Sequence, residues 1–331
     1  MTAEPAFSSA RLALDAEAEV QRICRTLKEV AVDFKRRGLV VAMSGGIDSS
    51  VTAALSVRAL GKERVLGLLM PERDSAPETL SLSRRVADLL GIEIIHEDIT
   101  PILDAAGCYR RRDDAIREIF PNYGPEHRAK IVLPSVVDSD RFRVFSLVVE
   151  APDGSVASKR LSLSAYLGMV AATNFKQRVR KMLEYYHADR LNYAVTGTPN
   201  RVEYDQGFFV KLGDGAGDVK PIAHLYKTQV YQLAEYLEVP EEVRTRPPTT
   251  DTYSMPQSQD EFYFSLPYDK MDLCLYGKSH GIPDDDVASA VGISTEQLQR
   301  VYRDIAQKRR TTRYLHAPPV LVQKIPEVHV E

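Results

Sequence analysis

Residues 40–50 read Val-Val-Ala-Met-Ser-Gly-Gly-Ile-Asp-Ser-Ser, an apolar run that enters a glycine pair and leaves through an acid and two hydroxyls. Residues 39–43 have the character of a buried strand, and residues 51–60 carry a helical pattern. Between them, Gly45 and Gly46 let the backbone turn tightly and bring its N–H groups close to an anion. A helix starting there adds unsatisfied N–H groups and the positive end of its dipole at the same point. Ser44, Ser49 and Ser50 can donate to phosphate oxygens, and Asp48 can hold a magnesium ion. No lysine follows the glycines, so this is not the Gly-x-x-x-x-Gly-Lys-Ser/Thr loop, and transfer of a γ-phosphate is not expected. A glycine-rich turn with an ordinary capping serine is the plain alternative. The complete strand–turn–helix unit favours nucleotide binding.

Working outward, residues 65–70 form a second apolar run suited to a buried parallel strand, followed by a polar loop and a helix through Leu90. Gly91 ends that helix, and residues 92–95 read as a third strand. Upstream, residues 10–37 show an apolar stripe at helical spacing. Strands alternating with helices at this spacing indicate an α/β fold, a doubly wound parallel sheet with ligands at its carboxyl edge. The pattern then changes. Residues 130–137, 141–149 and 155–162 are short and β-rich, with turns at Asp138-Ser139-Asp140 and Pro152-Asp153-Gly154. They predict a small antiparallel insertion over 130–162, against the alternative of an irregular surface loop. Helical character returns over 163–188, and 191–195 reads as a short strand. A helix is expected over 227–237, a loop over 244–259, helices near 267–277, 284–291 and 294–308, and an extended tail after His316.

The 331 residues carry 43 basic and 46 acidic side chains, a net charge of −3 that gives no general attraction to polyanions, so nucleic acid is not an expected partner. Cys24, Cys108 and Cys274 are too few and too far apart for a disulfide framework or a metal knuckle. With no signal-peptide pattern in residues 1–10 and no apolar run of membrane-spanning length, a cytoplasmic protein is expected.

A second block begins at a strand end: Thr196-Gly197-Thr198-Pro199-Asn200-Arg201-Val202-Glu203, then Gly207 to Asp218, where four glycines and the aspartates Asp214 and Asp218 accompany Lys211. Glu203 lies where it can be a second carboxylate on a magnesium shared with Asp48, the rest of the octahedron coming from phosphate and water. Taken alone, Lys227 reads as a solvated helix lysine, Asp214 as a turn residue and Lys308 as part of a basic helix end.

The Ser-Gly-Gly-x-Asp-Ser loop resembles that of the N-type ATP pyrophosphatases, which grip the departing pyrophosphate and place AMP on the substrate. Together with the second block, the chain resembles the synthetase core of the NAD synthase family over about residues 10–315. Matching pieces are Pro221-Ile222, Tyr226-Lys227-Thr228-Gln229, Pro248-Thr249-Thr250-Asp251, Gln259-Asp260-Glu261, Leu266-Pro267-Tyr268 with Asp272, residues 174–180, and Lys308-Arg309.

The resemblance implies a single domain over 1–331 with an adenine nucleotide alpha hydrolase-like, Rossmann-like fold interrupted by the 130–162 insertion. It implies a ligase that amidates nicotinic acid adenine dinucleotide to NAD through an acyl-adenylate, with ATP and Mg²⁺. Asp48 and Lys227 would be catalytic. Ser44, Gly45, Gly46, Ser49, Ser50, Thr198, Lys227 and Thr249 would bind ATP, and Asp48 and Glu203 the metal. Asn174, Arg178, Lys211, Asp214 and Lys308 would lie near the dinucleotide, at a homodimer interface. No room is left for the glutaminase domain of longer members, so ammonia is expected to arrive free or from a separate glutaminase partner. Three departures stand out: Gln307 where the family often has His, Pro199-Asn200-Arg201-Val202 after Thr198, and the insertion itself. They motivate one alternative, a related ligase amidating a different carboxylate. tRNA-modifying relatives of the loop are disfavoured by the missing paired cysteines and basic face. A nucleotide sensor is disfavoured because both metal carboxylates are present.

Overall fold

The structure is a computed structural model, describing residues 6–133, 145–248, 253–257, 263–264 and 266–328. A short 3-10 turn at Ser9–Leu12 precedes α1 (Ala16–Asp33), β1 (Leu39–Ala42), α2 (Ile47–Leu60), β2 (Val65–Leu69), α3 (Pro77–Leu90) and β3 (Glu93–His96). Then come α4 (Thr100–Ala105), α5 (Cys108–Arg117), β4 (Arg128–Val132), β5 (Ser146–Glu150) and β6 (Val156–Arg160). The long α6 (Leu163–Leu191) leads to β7 (Ala194–Val195), α7 (Arg201–Gln206), α8 (Lys227–Tyr236) and α9 (Glu241–Arg244). Three helices close the chain: α10 (Tyr268–His280), α11 (Asp284–Val291) and α12 (Thr295–His316).

The main sheet has the order β3-β2-β1-β7, and every pairing is parallel. Its central strands alternate between two cores, as the period of two requires. Leu39, Val41, Val65 and Leu69 bury against α1, α2 and α8, whereas Val40, Leu66 and Leu68 bury with Ile99, Leu103 and Val179 on the other face. Residues apolar on both faces therefore make a sheet covered on both sides, the doubly wound arrangement expected from the strand–helix alternation.

Three boundaries differ from expectation. The first helix begins only at Ala16, where the Asp15 carboxylate accepts the Ala18 N–H at 3.0 Å; Leu12 sits in the 3-10 turn instead. Residues 191–193 are not strand, because α6 continues to Leu191 and Asn192 ends it in a left-handed conformation (φ 55°), leaving two residues to pair with Leu39 and Val40. The last helix runs to His316 rather than stopping near residue 308.

The β-rich stretch forms an antiparallel sheet of order β4-β5-β6, not an irregular loop. Its inner residues Ala129, Ile131, Leu147 and Val149 pack with Ile116 of α5 and Ala165 and Met169 of α6. The expected turn at residues 138–140 lies outside the described residues. Among the described residues, no helix is long and apolar enough to cross a membrane.

Candidate active site

At β1 the winding of the sheet reverses, with β2 and β3 on one side and β7 on the other. Loops after β1 and β7 diverge there and leave a crevice at the carboxyl edge, where open α/β sheets take their ligands. A cavity of about 690 Å³ occupies it, lined among others by Ser44, Gly46, Asp48, Ser49, Thr198 and Glu203.

The turn after β1 is already built. Gly45 has a φ of 69°, and a Cβ there would stand 2.7 Å from the Thr79 carbonyl oxygen, so only glycine fits. Ser49 Oγ accepts the Ser44 N–H at 3.2 Å and donates to the Gly46 carbonyl at 3.0 Å. Ser50 is buried and donates to the same carbonyl at 2.8 Å. Gly45 and Ser50 therefore shape the turn without lining the cavity, while Ser44, Gly46 and Ser49 face it. The α2 helix starts at Ile47, so its free N–H groups and dipole point into the same space.

Four polar side chains meet beside this turn. Lys227, fully buried at the start of α8, places its ammonium against the Asp48 carboxylate. Burial works against that ammonium, but Asp48, joined by Glu203, outweighs it and holds the lysine above its ordinary pKa. Asn200 Nδ2 donates to the other Asp48 oxygen at 3.2 Å. The same asparagine caps α7: its Oδ1 accepts the Val202 and Glu203 N–H groups at 3.0 and 3.2 Å, and Glu203 Oε2 accepts the Asn200 N–H at 3.1 Å. Asn200 thus ties the two acids to one another, a role the sequence reading did not give it. The Asn-x-x-Glu spacing of a capping box was the available signal.

Burial, and then the charge of Asp48, push the Glu203 carboxyl up to about 8. Two hard oxygen donors repelling each other at the edge of an anion seat are what a small divalent cation would relieve. Among the described residues there is no cluster of three or more ligating His, Cys, Asp or Glu. Magnesium fits such a pair, since it takes one or two carboxylates and completes its shell with phosphate and water oxygens.

Lys227 has support from behind. The buried Asp272 carboxylate on α10 accepts the N–H groups of Lys227 and Thr228 at 3.3 and 2.8 Å, capping α8 from outside the helix. On the far side of the cavity, buried Lys176 bridges Glu72 at 2.8 Å and Asp74 at 2.9 Å. Arg112 reaches Asp74 at 2.7 Å and Tyr109 donates to Glu72 at 2.9 Å, so the loop after β2 is held by a buried ionic network.

The remaining expected residues are distributed unevenly. Asn174, Arg178, Lys211 and Asp214 all line the cavity, as does Thr198. Asp214 accepts the Val210 N–H at 2.8 Å, and burial raises its carboxyl. Lys211 directs its ammonium to the Tyr314 and Ala317 carbonyls at 2.7 and 3.1 Å, at the end of α12. Lys308 lies apart from the cavity lining: its ammonium meets Asp304 at 2.7 Å and the Tyr263 carbonyl at 2.6 Å. Thr249 is outside the described residues. Chemically, the arrangement offers N–H donors for an anion, the buried Lys227 ammonium beside them, and a pair of acids able to share a cation.

Comparison with known proteins adds a family to this geometry. The family model for NAD synthase matches residues 19–131 and 151–316, leaving residues 132–150 unmatched. An NH(3)-dependent NAD(+) synthetase of Mesorhizobium japonicum is 62% identical over 317 residues, covering 96% of this chain and 99% of that protein. Another, from Rhizobium meliloti, is 58% identical, covering 97% of this chain and 96% of its own. Among solved structures, the NH3-dependent NAD synthetase of Campylobacter jejuni superposes with a TM-score of 0.61 at 23% identity, covering 94% of this chain and all of that one, a likeness of fold.

Proposed function

The chain belongs to the NAD synthase family, and from that premise we propose how its cavity carries out the reaction. The protein is a ligase that amidates nicotinic acid adenine dinucleotide to NAD with ammonia and ATP. The observation that carries the mechanism is the meeting of Asp48, Lys227, Asn200 and Glu203 at the mouth of a preformed glycine turn.

A carboxylate is a poor acyl donor because its oxygen is a bad leaving group. Attack of the substrate carboxylate oxygen on the α-phosphorus of ATP breaks the bond to the β-phosphate oxygen, forming an acyl-adenylate and releasing pyrophosphate. Ser44, Ser49, the Gly46 N–H and the start of α2 receive the pyrophosphate, and Lys227 supplies positive charge beside Asp48. Asp48 and Glu203 would hold magnesium, which would supply positive charge for the departing pyrophosphate. Ammonia then attacks the acyl carbon, a tetrahedral oxyanion forms and collapses, and AMP leaves. Thr198 and Thr249 contact ATP, and Asn174, Arg178, Lys211 and Asp214 take the dinucleotide. Lys308 enters this reading only through its motif match, since its ammonium is engaged elsewhere.

The functional unit is a homodimer. Leu163, Leu167, Met182 and Tyr186 are exposed along α6, the helix that carries Asn174 and Arg178, and burying them against a second copy removes that apolar surface from water. The test measures AMP and NAD formed from ATP and nicotinic acid adenine dinucleotide, with ammonium or glutamine as donor and Asp48→Ala as control. Ammonium-dependent NAD with equal AMP is expected, and glutamine is expected to work only when a separate glutaminase is added. Turnover retained by Asp48→Ala would overturn the site, and no turnover with this dinucleotide would overturn the function.

A further inference from the structure

The family match leaves out the heart of the inserted sheet, so what that sheet does here must be read from its contacts. Its strand order is β4-β5-β6, which makes β4 an edge strand. An edge strand is a row of backbone groups that can pair with another segment. In this chain the segment is residues 253–257. The Met255 N–H donates to the Ala129 carbonyl at 3.3 Å, and the Ala129 N–H donates to Ser254 Oγ at 3.0 Å. Two residues further along β4, the Gln257 side-chain amide donates to the Ile131 carbonyl, and the Lys130 ammonium reaches the Pro256 carbonyl at 3.4 Å. Ala129 and Ile131 are alternate residues, so the segment runs alongside the strand, tied to it by one backbone bond and three side-chain bonds.

The docked segment also closes a core. Tyr253, only 4% exposed, packs in one cluster with Ile131 and Leu147 of the insertion and Met169 of α6. The same tyrosine lines the cavity, together with Phe145 just before β5 and Tyr166 of α6. Phe145 and Tyr166 stack with centroids 4.3 Å apart and planes 16° apart. These three rings lie in the cavity wall with Asn174, on the α6 side.

We propose that the inserted sheet is a docking edge for residues 253–257, and that this docking fixes Tyr253 in the cavity wall and so sets affinity for the dinucleotide. Ser254 and Gln257 are positioning residues: neither lines the cavity, and both act through the segment they hold. The proposal rests on the synthetase reading above for the identity of its ligand.

The test uses the full-length Ser254→Ala/Gln257→Leu variant, which removes two edge contacts and leaves β4–β5 pairing untouched. Hydrogen exchange of the peptide containing Met255 is expected to speed by about tenfold, the scale of two lost hydrogen bonds. The KM and the calorimetric Kd for nicotinic acid adenine dinucleotide are expected to rise about fivefold or more, because a smaller fraction of molecules presents the docked wall. kcat and the KM for ATP should stay within about twofold, as no group placed near the reacting atoms has changed. Ser254→Thr, which keeps the hydroxyl, should behave as the unaltered protein. If the double variant does not fold, Ser254→Ala alone is read in the same way. Unchanged exchange would overturn the docking. Faster exchange with unchanged dinucleotide affinity would overturn its consequence for binding. Absence of NAD formation by the unaltered protein would instead defeat the functional reading, while exchange and calorimetry still judge the docking.

Discussion

Replacing Asp272 by asparagine should change how stability depends on pH in a direction opposite to that of an acid whose carboxylate is held by an ion pair. Asp272 is buried behind Lys227 and accepts two N–H groups at the start of α8. Those bonds favour its charged form, but desolvation is the larger effect and raises its carboxyl to about 6. An aspartate in the unfolded chain titrates near about 3.9. Below both values each state is protonated, and the group contributes no pH dependence. Between about 4 and 6 the folded state holds a proton that the unfolded state has lost, so stability falls as pH rises. Two units at about 1.4 kcal/mol each amount to about 3 kcal/mol, complete by about pH 7. Asparagine cannot titrate, so the stability of Asp272→Asn relative to the unaltered protein should rise by about 3 kcal/mol between pH 4 and 7. Urea unfolding followed by circular dichroism at half-unit steps of pH measures this difference directly, and other titrating groups cancel in it. A flat difference would refute the argument. A difference of opposite sign would mean that the α8 N-terminus stabilises the carboxylate more than burial destabilises it.

Other consequences are equally concrete. Lys227→Met removes the ammonium paired with Asp48, and kcat/KM should fall by about 10²- to 10³-fold in steady-state assays; a near-normal rate would remove this lysine from the chemistry. Lys176→Met leaves the buried Glu72 without its cation and takes one of two close cations from Asp74, and should cost about 3–5 kcal/mol in urea unfolding, whereas a change below about 1 kcal/mol would show that the network carries no such weight. Cys24, Cys108 and Cys274 are all buried, and burial raises their thiols, that of Cys274 to about 12. Iodoacetamide at neutral pH should therefore leave the native protein unlabelled and modify all three cysteines once urea is added; rapid native labelling would contradict their placement.

What the sequence made legible is what depends on neighbours in the chain. The apolar strand, the left-handed Gly45 and the helix after it are local, and the Ser-Gly-Gly-x-Asp-Ser order declares them together. The same holds for Gly91, whose φ of 64° ends α3. The supports of the site are not local. Asn200 reaches Asp48 across 152 positions, Asp272 reaches the start of α8 across about 45, and Lys176 reaches Glu72 across 104. No periodicity reports such pairs. Helices α4 and α5 drew no expectation, since α5 buries Tyr109, Arg112 and Ile116 within a run of arginines and aspartates that masks its apolar face. Lys308 is placed near the substrate by its motif alone, since it lies outside the cavity lining with its ammonium on Asp304, one turn back in α12, and a backbone carbonyl. A family motif marks position in the chain, and the side chain then follows its nearest partners.

The central claim is that the turn after β1 seizes pyrophosphate while the substrate carboxylate takes AMP. Nicotinic acid adenine dinucleotide labelled with ¹⁸O in its carboxylate tests it directly. After turnover with ATP and ammonium, mass spectrometry should find one ¹⁸O in the phosphate of AMP and none in pyrophosphate. Label in inorganic phosphate with ADP as the second product would contradict the account, because the γ-phosphate would then have been the group transferred.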